Sequence, residues 1–138
     1  MARALLVVDA GGVLLGVDSV LVREIVPARS MTRLPGAPPC VRGLLNVRGT
    51  LVTVVDVAKR FGAGVVGLDE RSVVILVADA RTLGLLVDDV QEVRVFEDED
   101  LLPAPSEDGE GLVRAMGHFD ARVVLEVDVP ELVRQTLA

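Results

Sequence analysis

The sequence has very few aromatic side chains: there is no Trp, no Tyr and only three Phe among its 138 residues. Proteins that bind single-stranded nucleic acid stack bases on aromatic rings, and phosphate binding needs a basic surface. This chain instead carries a net charge of −7, from 14 basic and 21 acidic residues. We therefore expect no nucleic-acid partner.

Cysteine and histidine are almost absent, since Cys40 and His118 are the sole examples. A single cysteine forms no internal disulfide, which indicates the cytoplasm. A zinc site of Cys and His ligands cannot be assembled, and no nucleotide-binding glycine motif is present. We expect no metal, no cofactor and no catalytic residue: a strand-end position is favoured for His118 and a small buried hydrophobe for Cys40.

Long apolar runs are missing too. The longest uninterrupted run covers residues 73–78, whereas a helix that crosses a bilayer needs about 20 apolar residues. The apolar run after Arg3 ends at Asp9, which is too short for a signal peptide. We expect no direct membrane insertion.

Valine is abundant, with 28 positions against two for Ile, and β-branched side chains favour strands. Short apolar segments predict ten strands, as expected for a barrel or sandwich. Polar and apolar spacing predicts a short helix at about 56–61 and a terminal helix after Pro130. The four prolines within residues 27–39 predict an irregular connection. The predicted strands are 3–9, 12–17, 21–27, 41–47, 50–56, 72–78, 82–88, 91–96, 111–117 and 122–128.

The two halves of the chain resemble each other. The sequence Val-Asp-Ser-Val at 17–20 recurs as Val-Asp-Asp-Val at 87–90, and the segment 51–57 recurs at 123–129. Such self-similarity near half the length favours two similar small β units. We expect one domain, residues 1–138, with approximate halves 1–68 and 69–138.

Acidic residues are concentrated in residues 97–110, where seven acids occur without a Lys or Arg. We interpret this segment as a solvated loop that is dispensable for folding. Regularly spaced calcium ligands are absent, so cation binding is disfavoured. An acid–base enzyme that uses Asp88, Asp89 or this loop is a remote alternative.

Two arginine–glycine pairs follow the proline-rich segment, at Arg42-Gly43 and Arg48-Gly49. Gly49 predicts a tight hairpin, which places Arg48 at its tip. From the residues alone, Arg48 either pairs with Asp56 or projects toward a partner.

The order of these motifs resembles the chemotaxis coupling proteins of the CheW-like family, over about residues 3–137. The likeness continues upstream through 17–25 and downstream through 83–93, which is similar to the family's second signature. Cys40 and Val57 depart from the common pattern of the family. The motifs that carry the resemblance are Leu34-Pro35, Ala37-Pro38, Val41-Arg42-Gly43, Asn46-Val47-Arg48-Gly49 and Val54-Val55-Asp56-Val57.

The resemblance implies a mostly β fold of two packed five-stranded SH3-like barrels, with a short C-terminal helix, and it leaves open an exchange of strands between the barrels. It also implies a non-enzymatic scaffold that joins the cytoplasmic tip of a methyl-accepting chemoreceptor to the regulatory domain of a histidine kinase. An alternative is an adaptor in a motility or developmental pathway that binds the kinase or the receptor only. By motif position, the receptor groove would contain Val22, Gly43, Arg48, Val73, Val90 and Val93.

Overall fold

The computed structural model describes residues 1–29, 31–57, 71–104 and 111–137. All ten predicted strands are present within a few residues of their expected bounds, and β9 is an additional strand of two residues. The strands are β1 (Ala2–Ala10), β2 (Val13–Asp18), β3 (Val22–Pro27), β4 (Val41–Val47), β5 (Thr50–Val55), β6 (Ser72–Ala78), β7 (Arg81–Val87), β8 (Asp89–Glu97), β9 (Leu102–Pro103), β10 (Val113–Phe119) and β11 (Arg122–Val127).

The strands form two sheets. The six-stranded sheet has the order β8-β1-β2-β11-β10-β9, and the five-stranded sheet has the order β3-β6-β7-β5-β4. Within the described residues neither sheet closes its hydrogen-bonded ladder, and each matches the expected SH3-like unit. Each sheet takes strands from both halves of the chain, because the β1–β2 hairpin pairs with β8 and β11 while the β6–β7 hairpin pairs with β3 and β5.

The internal repeat of the sequence is present in the backbone. The β4–β5 hairpin and the β10–β11 hairpin begin and end exactly 72 residues apart, and each contains a bulge at its second residue, Arg42 or Arg114. After each hairpin an aspartate amide donates to a carbonyl just before it: Asp56 to Cys40, and Asp128 to Leu112, both at 2.7 Å. The two halves therefore share local structure as well as composition.

The core follows the strand alternation. Along β1, Leu6 and Val8 join the larger apolar cluster, which continues into the five-stranded sheet, whereas Leu5 and Val7 join a smaller cluster with Phe96. The β1 strand is therefore buried on both faces, which is how the two units pack together.

The C-terminal helix α1 (Val129–Leu137) confirms the prediction made from Pro130. Its first turn is capped by Asp128, whose Oδ1 accepts a hydrogen bond from the Glu131 amide at 3.0 Å. Leu132 and Val133 are buried against the larger cluster. The other predicted helix, at 56–61, is not seen at Asp56 or Val57, and residues 58–61 lie outside the described residues.

Candidate functional site

The six residues assigned to a receptor groove come from both sheets. Val22, Gly43 and Val73 lie on strands of the five-stranded sheet, and Arg48 lies in the turn between β4 and β5. Val90 and Val93 lie on β8, at the edge of the six-stranded sheet. A ligand that contacted both groups would bridge the two sheets.

The β8 residues offer apolar surface beside a buried strand. Val93 is 55% exposed and pairs in register with Leu6, which is buried in the larger cluster. Val90, which is partly buried, packs against the same cluster. Val95 is 63% exposed, lies two residues further along β8, and lines a depression on the six-stranded sheet. Sequence reasoning missed Val95, although the alternation of apolar residues along 93–95 was a usable signal.

Val22 lies at the start of β3, where its side chain is partly buried against the larger cluster. Ahead of it, a 3-10 turn (Ser19–Leu21) presents Val20, which is 86% exposed. Asp18 caps this turn by accepting a hydrogen bond from the Val20 amide at 3.1 Å. The turn thus holds an apolar side chain in water. The repeated Val-Asp-Ser-Val motif contains this valine but did not indicate that its side chain is exposed.

Two of the six residues are buried and offer no surface for direct contact. Val73 has 0% exposure within the larger cluster. Gly43 is also buried, and an added Cβ would lie 2.4 Å from the Thr32 carbonyl oxygen. Gly43 therefore allows the close approach of the segment around Thr32 within the chain. The expectation that Gly43 contacts a docked helix is wrong, because Thr32 already occupies the space beside it.

Arg48 occupies the hairpin tip expected for it. Arg48 and Gly49 have φ values of 50° and 85°, the paired positive values of a tight two-residue turn. Asn46 supports the turn, because its Oδ1 accepts from the Gly49 amide at 2.8 Å. The Arg48 side chain is 79% exposed, and its Nη1 lies 2.6 Å from Oε2 of Glu24 on β3.

The alternative pairing of Arg48 with Asp56 is wrong. Asp56 is only 3% exposed, and its Oδ2 accepts a hydrogen bond from Arg42 Nη1 at 3.0 Å. The β-bulge at Arg42 accounts for this pairing, since a bulge redirects a side chain. Arg42 thus pairs with a buried acid, whereas Arg48 lies at the surface.

A depression of about 300 Å³ adjoins the Arg48–Glu24 pair. Its walls come from β3 and β4, with Val26 and Val47 as apolar lining. Both strands are edges of the five-stranded sheet, so the depression marks the place where the two edges approach each other. Its mixture of apolar and charged groups suits one side of an amphipathic helix.

A second exposed apolar surface lies on the six-stranded sheet, around Leu102 on β9 and Val123 on β11. These side chains are 60% and 50% exposed. With Met116 they line a depression of about 580 Å³, which Glu99 and Asp100 border. We call this the β9–β11 surface.

Beside this surface, Arg94 lies over the Phe119 ring, with 4.0 Å between the guanidinium carbon and the ring centroid. Hydrogen bonding to Glu92, supported by Asp120, raises the pKa of Arg94. On α1, mutual hydrogen bonds between Arg134 and Glu131 raise the pKa of Arg134 and lower that of Glu131. These shifts come from exposed ion pairs and indicate no catalytic group.

The expected loop at 97–110 is wrong in its first half. Residues Asp98–Asp100 form a 3-10 turn, and β9 pairs with β10 at Ala115 and Met116. Leu101, between them, is 8% exposed and belongs to the smaller cluster. Burial of this leucine holds the segment against the six-stranded sheet despite the four neighbouring acids. Residues 105–110 lie outside the described residues.

The remaining candidates for chemistry have structural contacts or lie at the surface. Asp88 accepts a hydrogen bond from the Gly11 amide at 2.6 Å and pairs with Arg71 at 2.8 Å. His118 is exposed on β10, and Cys40 is partly buried. Among the described residues, no three His, Cys, Asp or Glu side chains are placed to hold a metal ion, and no helix is long and apolar enough to cross a membrane.

Comparison with known proteins agrees with this architecture. The CheW-like domain family matches residues 4–137. Chemotaxis protein CheW of Klebsiella aerogenes is 30% identical over 121 residues, which are 85% of this chain and 73% of that protein. A probable chemotaxis protein CheW of Rhizobium etli is 31% identical over 124 residues, 87% of this chain and 80% of that one. The crystal structure of the scaffolding protein TtCheW from Thermoanaerobacter tengcongensis has a TM-score of 0.82 at 27% identity, covering 94% of this chain and 86% of that chain.

Proposed function

Because the chain belongs to the CheW-like domain family, we propose that it is a non-enzymatic cytoplasmic scaffold that couples chemoreceptors to a chemotaxis histidine kinase. The observation that carries the proposal is the presence of two exposed apolar surfaces, one at β8 and one at β9–β11. A coupling protein needs two contact surfaces on one body, so that each partner is held without displacing the other.

The names of the similar proteins support a role in chemotaxis and in scaffolding. They favour this reading over an adaptor in a motility or developmental pathway. Such an adaptor would bind the kinase or the receptor only, so binding measurements with both partners separate the two functions.

For the receptor we propose the groove formed by Val22, Val90 and Val93, together with Arg48. An amphipathic helix buries one apolar stripe in such a groove. Arg48 would donate a charge-assisted hydrogen bond to a carboxylate or carbonyl of the helix. Val73 and Gly43 would act beneath the surface, by shaping the sheet that supports it.

For the kinase regulatory domain we propose the β9–β11 surface. Leu102 and Val123 supply its exposed apolar area, and Glu99 and Asp100 supply negative charge at its border. Charged groups at the edge of an interface steer association and fix its orientation. We therefore expect apolar side chains flanked by basic ones on the kinase.

Two matched substitutions test the assignment. Val93→Asp places a charge in the receptor groove, and Leu102→Asp places one on the β9–β11 surface. Leu34→Asp is the control, since Leu34 is 42% exposed in the β3–β4 connection. Affinity is measured by calorimetry against a receptor-tip fragment and, separately, the kinase regulatory domain.

We expect Val93→Asp to weaken receptor binding alone and Leu102→Asp to weaken kinase binding alone, each by at least about tenfold, or 1.4 kcal/mol. The control should keep both affinities. Wild-type protein that bound neither fragment would overturn the coupling function. Loss of both affinities in one folded variant would overturn the separation of the two surfaces.

A further inference from the structure

The described chain passes between the two sheets at two crossings. The first leads from β2 to β3, after Asp18. The second leads from β7 to β8, where Asp88 is the single intervening residue. Asp18 and Asp88 occupy equivalent positions of the repeated Val-Asp motif, so the two crossings form a matched pair.

At the second crossing, Asp88 contacts both sheets. Its amide donates to the Asp9 carbonyl at 2.7 Å, and its Oδ2 accepts from the Gly11 amide at 2.6 Å. Both of these partners belong to the β1–β2 hairpin of the six-stranded sheet. Its Oδ1 lies 2.8 Å from Nε of Arg71, which directly precedes β6 of the five-stranded sheet.

The groups that Asp88 contacts are themselves anchored. On the hairpin side, Arg122 of β11 donates to the Gly12 carbonyl at 2.9 Å and lies 3.3 Å from Asp9 Oδ2. On the other side, the Arg71 carbonyl accepts from the Ala28 amide at 3.0 Å, just after β3. A movement of one sheet relative to the other at this end must therefore stretch the contacts of Asp88.

Asp18 makes a different contact at the first crossing. Its Oδ1 accepts from the Val20 amide, two residues along the chain, at 3.1 Å. This bond shapes the 3-10 turn and joins no second strand. The matched positions thus differ: the acid at one crossing forms a local cap, and the acid at the other links the two sheets.

We propose that Asp88 is a clasp that fixes the angle between the two sheets. It would thereby set the separation of Val22, on one sheet, from Val90 and Val93, on the other, and in this respect the inference rests on the proposed function. The Gly11 amide donates a charge-assisted hydrogen bond to one oxygen of the Asp88 carboxylate, and Arg71 forms an ion pair with the other oxygen. Contacts on both sides of a single carboxylate make the clasp stiff. A stiff pivot lets a displacement at one surface reach the other.

The test measures the distance between the sheets directly, without either partner. In a Cys40→Ala background, spin labels are attached to cysteines at Thr50 of the five-stranded sheet and Arg114 of the six-stranded sheet, both exposed. A second label pair at Thr50 and Arg81 reports on the five-stranded sheet alone. Distances between the labels are measured by double electron–electron resonance in the unsubstituted protein, in Asp88→Ala and in the matched control Asp18→Ala.

We expect Asp88→Ala to shift or broaden the distance distribution between the sheets while the distance within one sheet stays unchanged. Asp18→Ala should leave both distributions unchanged. Should Asp88→Ala fail to fold, Arg71→Met removes one side of the clasp and is expected to broaden the same distribution.

An unchanged distance between the sheets in the folded variants, or an equal effect of Asp18→Ala, would overturn the clasp. Receptor and kinase affinities are measured separately. A clasp result of either sign therefore leaves the test of the proposed function independent.

Discussion

Replacing Arg48 with alanine separates a role in binding from a role in folding. The side chain is 79% exposed, and its partner Glu24 is 20% exposed, so the Glu24 carboxylate keeps access to water when Arg48 is removed. Exposed ion pairs contribute about 0.2–1 kcal/mol, whereas breaking a buried pair costs about 3–5 kcal/mol. We expect the free energy of unfolding to fall by less than about 1 kcal/mol, which is less than about 0.5 M in the urea midpoint.

Binding should respond more strongly. A charge-assisted bond in a desolvated interface is worth about 2–5 kcal/mol on truncation, so we expect receptor-tip affinity to fall at least about 30-fold. Arg81→Ala is the matched control, because it removes an equal charge from another exposed position, the first residue of β7. It should change neither the stability nor the affinity by a comparable amount.

The assay pairs urea unfolding with titration of a receptor-tip fragment. Glu24→Gln adds a check, since it releases Arg48 and should not weaken binding if Arg48 itself meets the partner. A loss of stability near 3 kcal/mol in Arg48→Ala, or an affinity equal to that of the Arg81→Ala control, would refute the reasoning.

Three further predictions concern the fold, and each is checked by urea unfolding. Arg3→Met should lower the free energy of unfolding by about 3–5 kcal/mol, because Arg3 Nη2 lies 2.7 Å from Glu126, which is 2% exposed. Joint replacement of both residues by methionine should recover most of this loss, and equal losses for the single and double variants would contradict the prediction. Gly43→Ala should lower the free energy of unfolding by about 1–3 kcal/mol through overpacking, since the added Cβ would lie 2.4 Å from a backbone carbonyl oxygen. An unchanged urea midpoint would contradict this prediction. Replacing the four acids at 97–100 by their amides should leave the urea midpoint unchanged or slightly higher, and a large loss would show that the charges themselves stabilise the segment. Leu101→Ala, by contrast, should lower the free energy of unfolding by about 2–5 kcal/mol, because Leu101 is buried.

Strand positions were predictable because local alternation and turn residues encode them. The bounds of β4 and β6 were confirmed to the residue, and Gly49 lies in the expected turn. The association of hairpins was not encoded locally. The two halves have similar patterns, so no local signal indicates that the β1–β2 hairpin pairs with β8 and β11.

The candidate site was predicted less well, because side-chain environment depends on contacts distant in sequence. Val73 begins the longest apolar run of the chain, and such runs are typical of strands buried on both faces, which is where it lies. Arg48 finds Glu24 because β3 and the β4–β5 turn meet in space, although 24 residues separate the pair. The nearer acid, Asp56, is turned inward to Arg42.

The central claim is that one molecule of this chain holds a receptor and a kinase together. Sedimentation velocity of an equimolar mixture with a receptor-tip fragment and a kinase regulatory domain tests it most directly. We predict a ternary species that contains all three chains, with Val93→Asp removing only the receptor fragment and Leu102→Asp only the kinase domain. Two binary species that exclude each other, with no ternary species at saturating concentrations, would contradict the account.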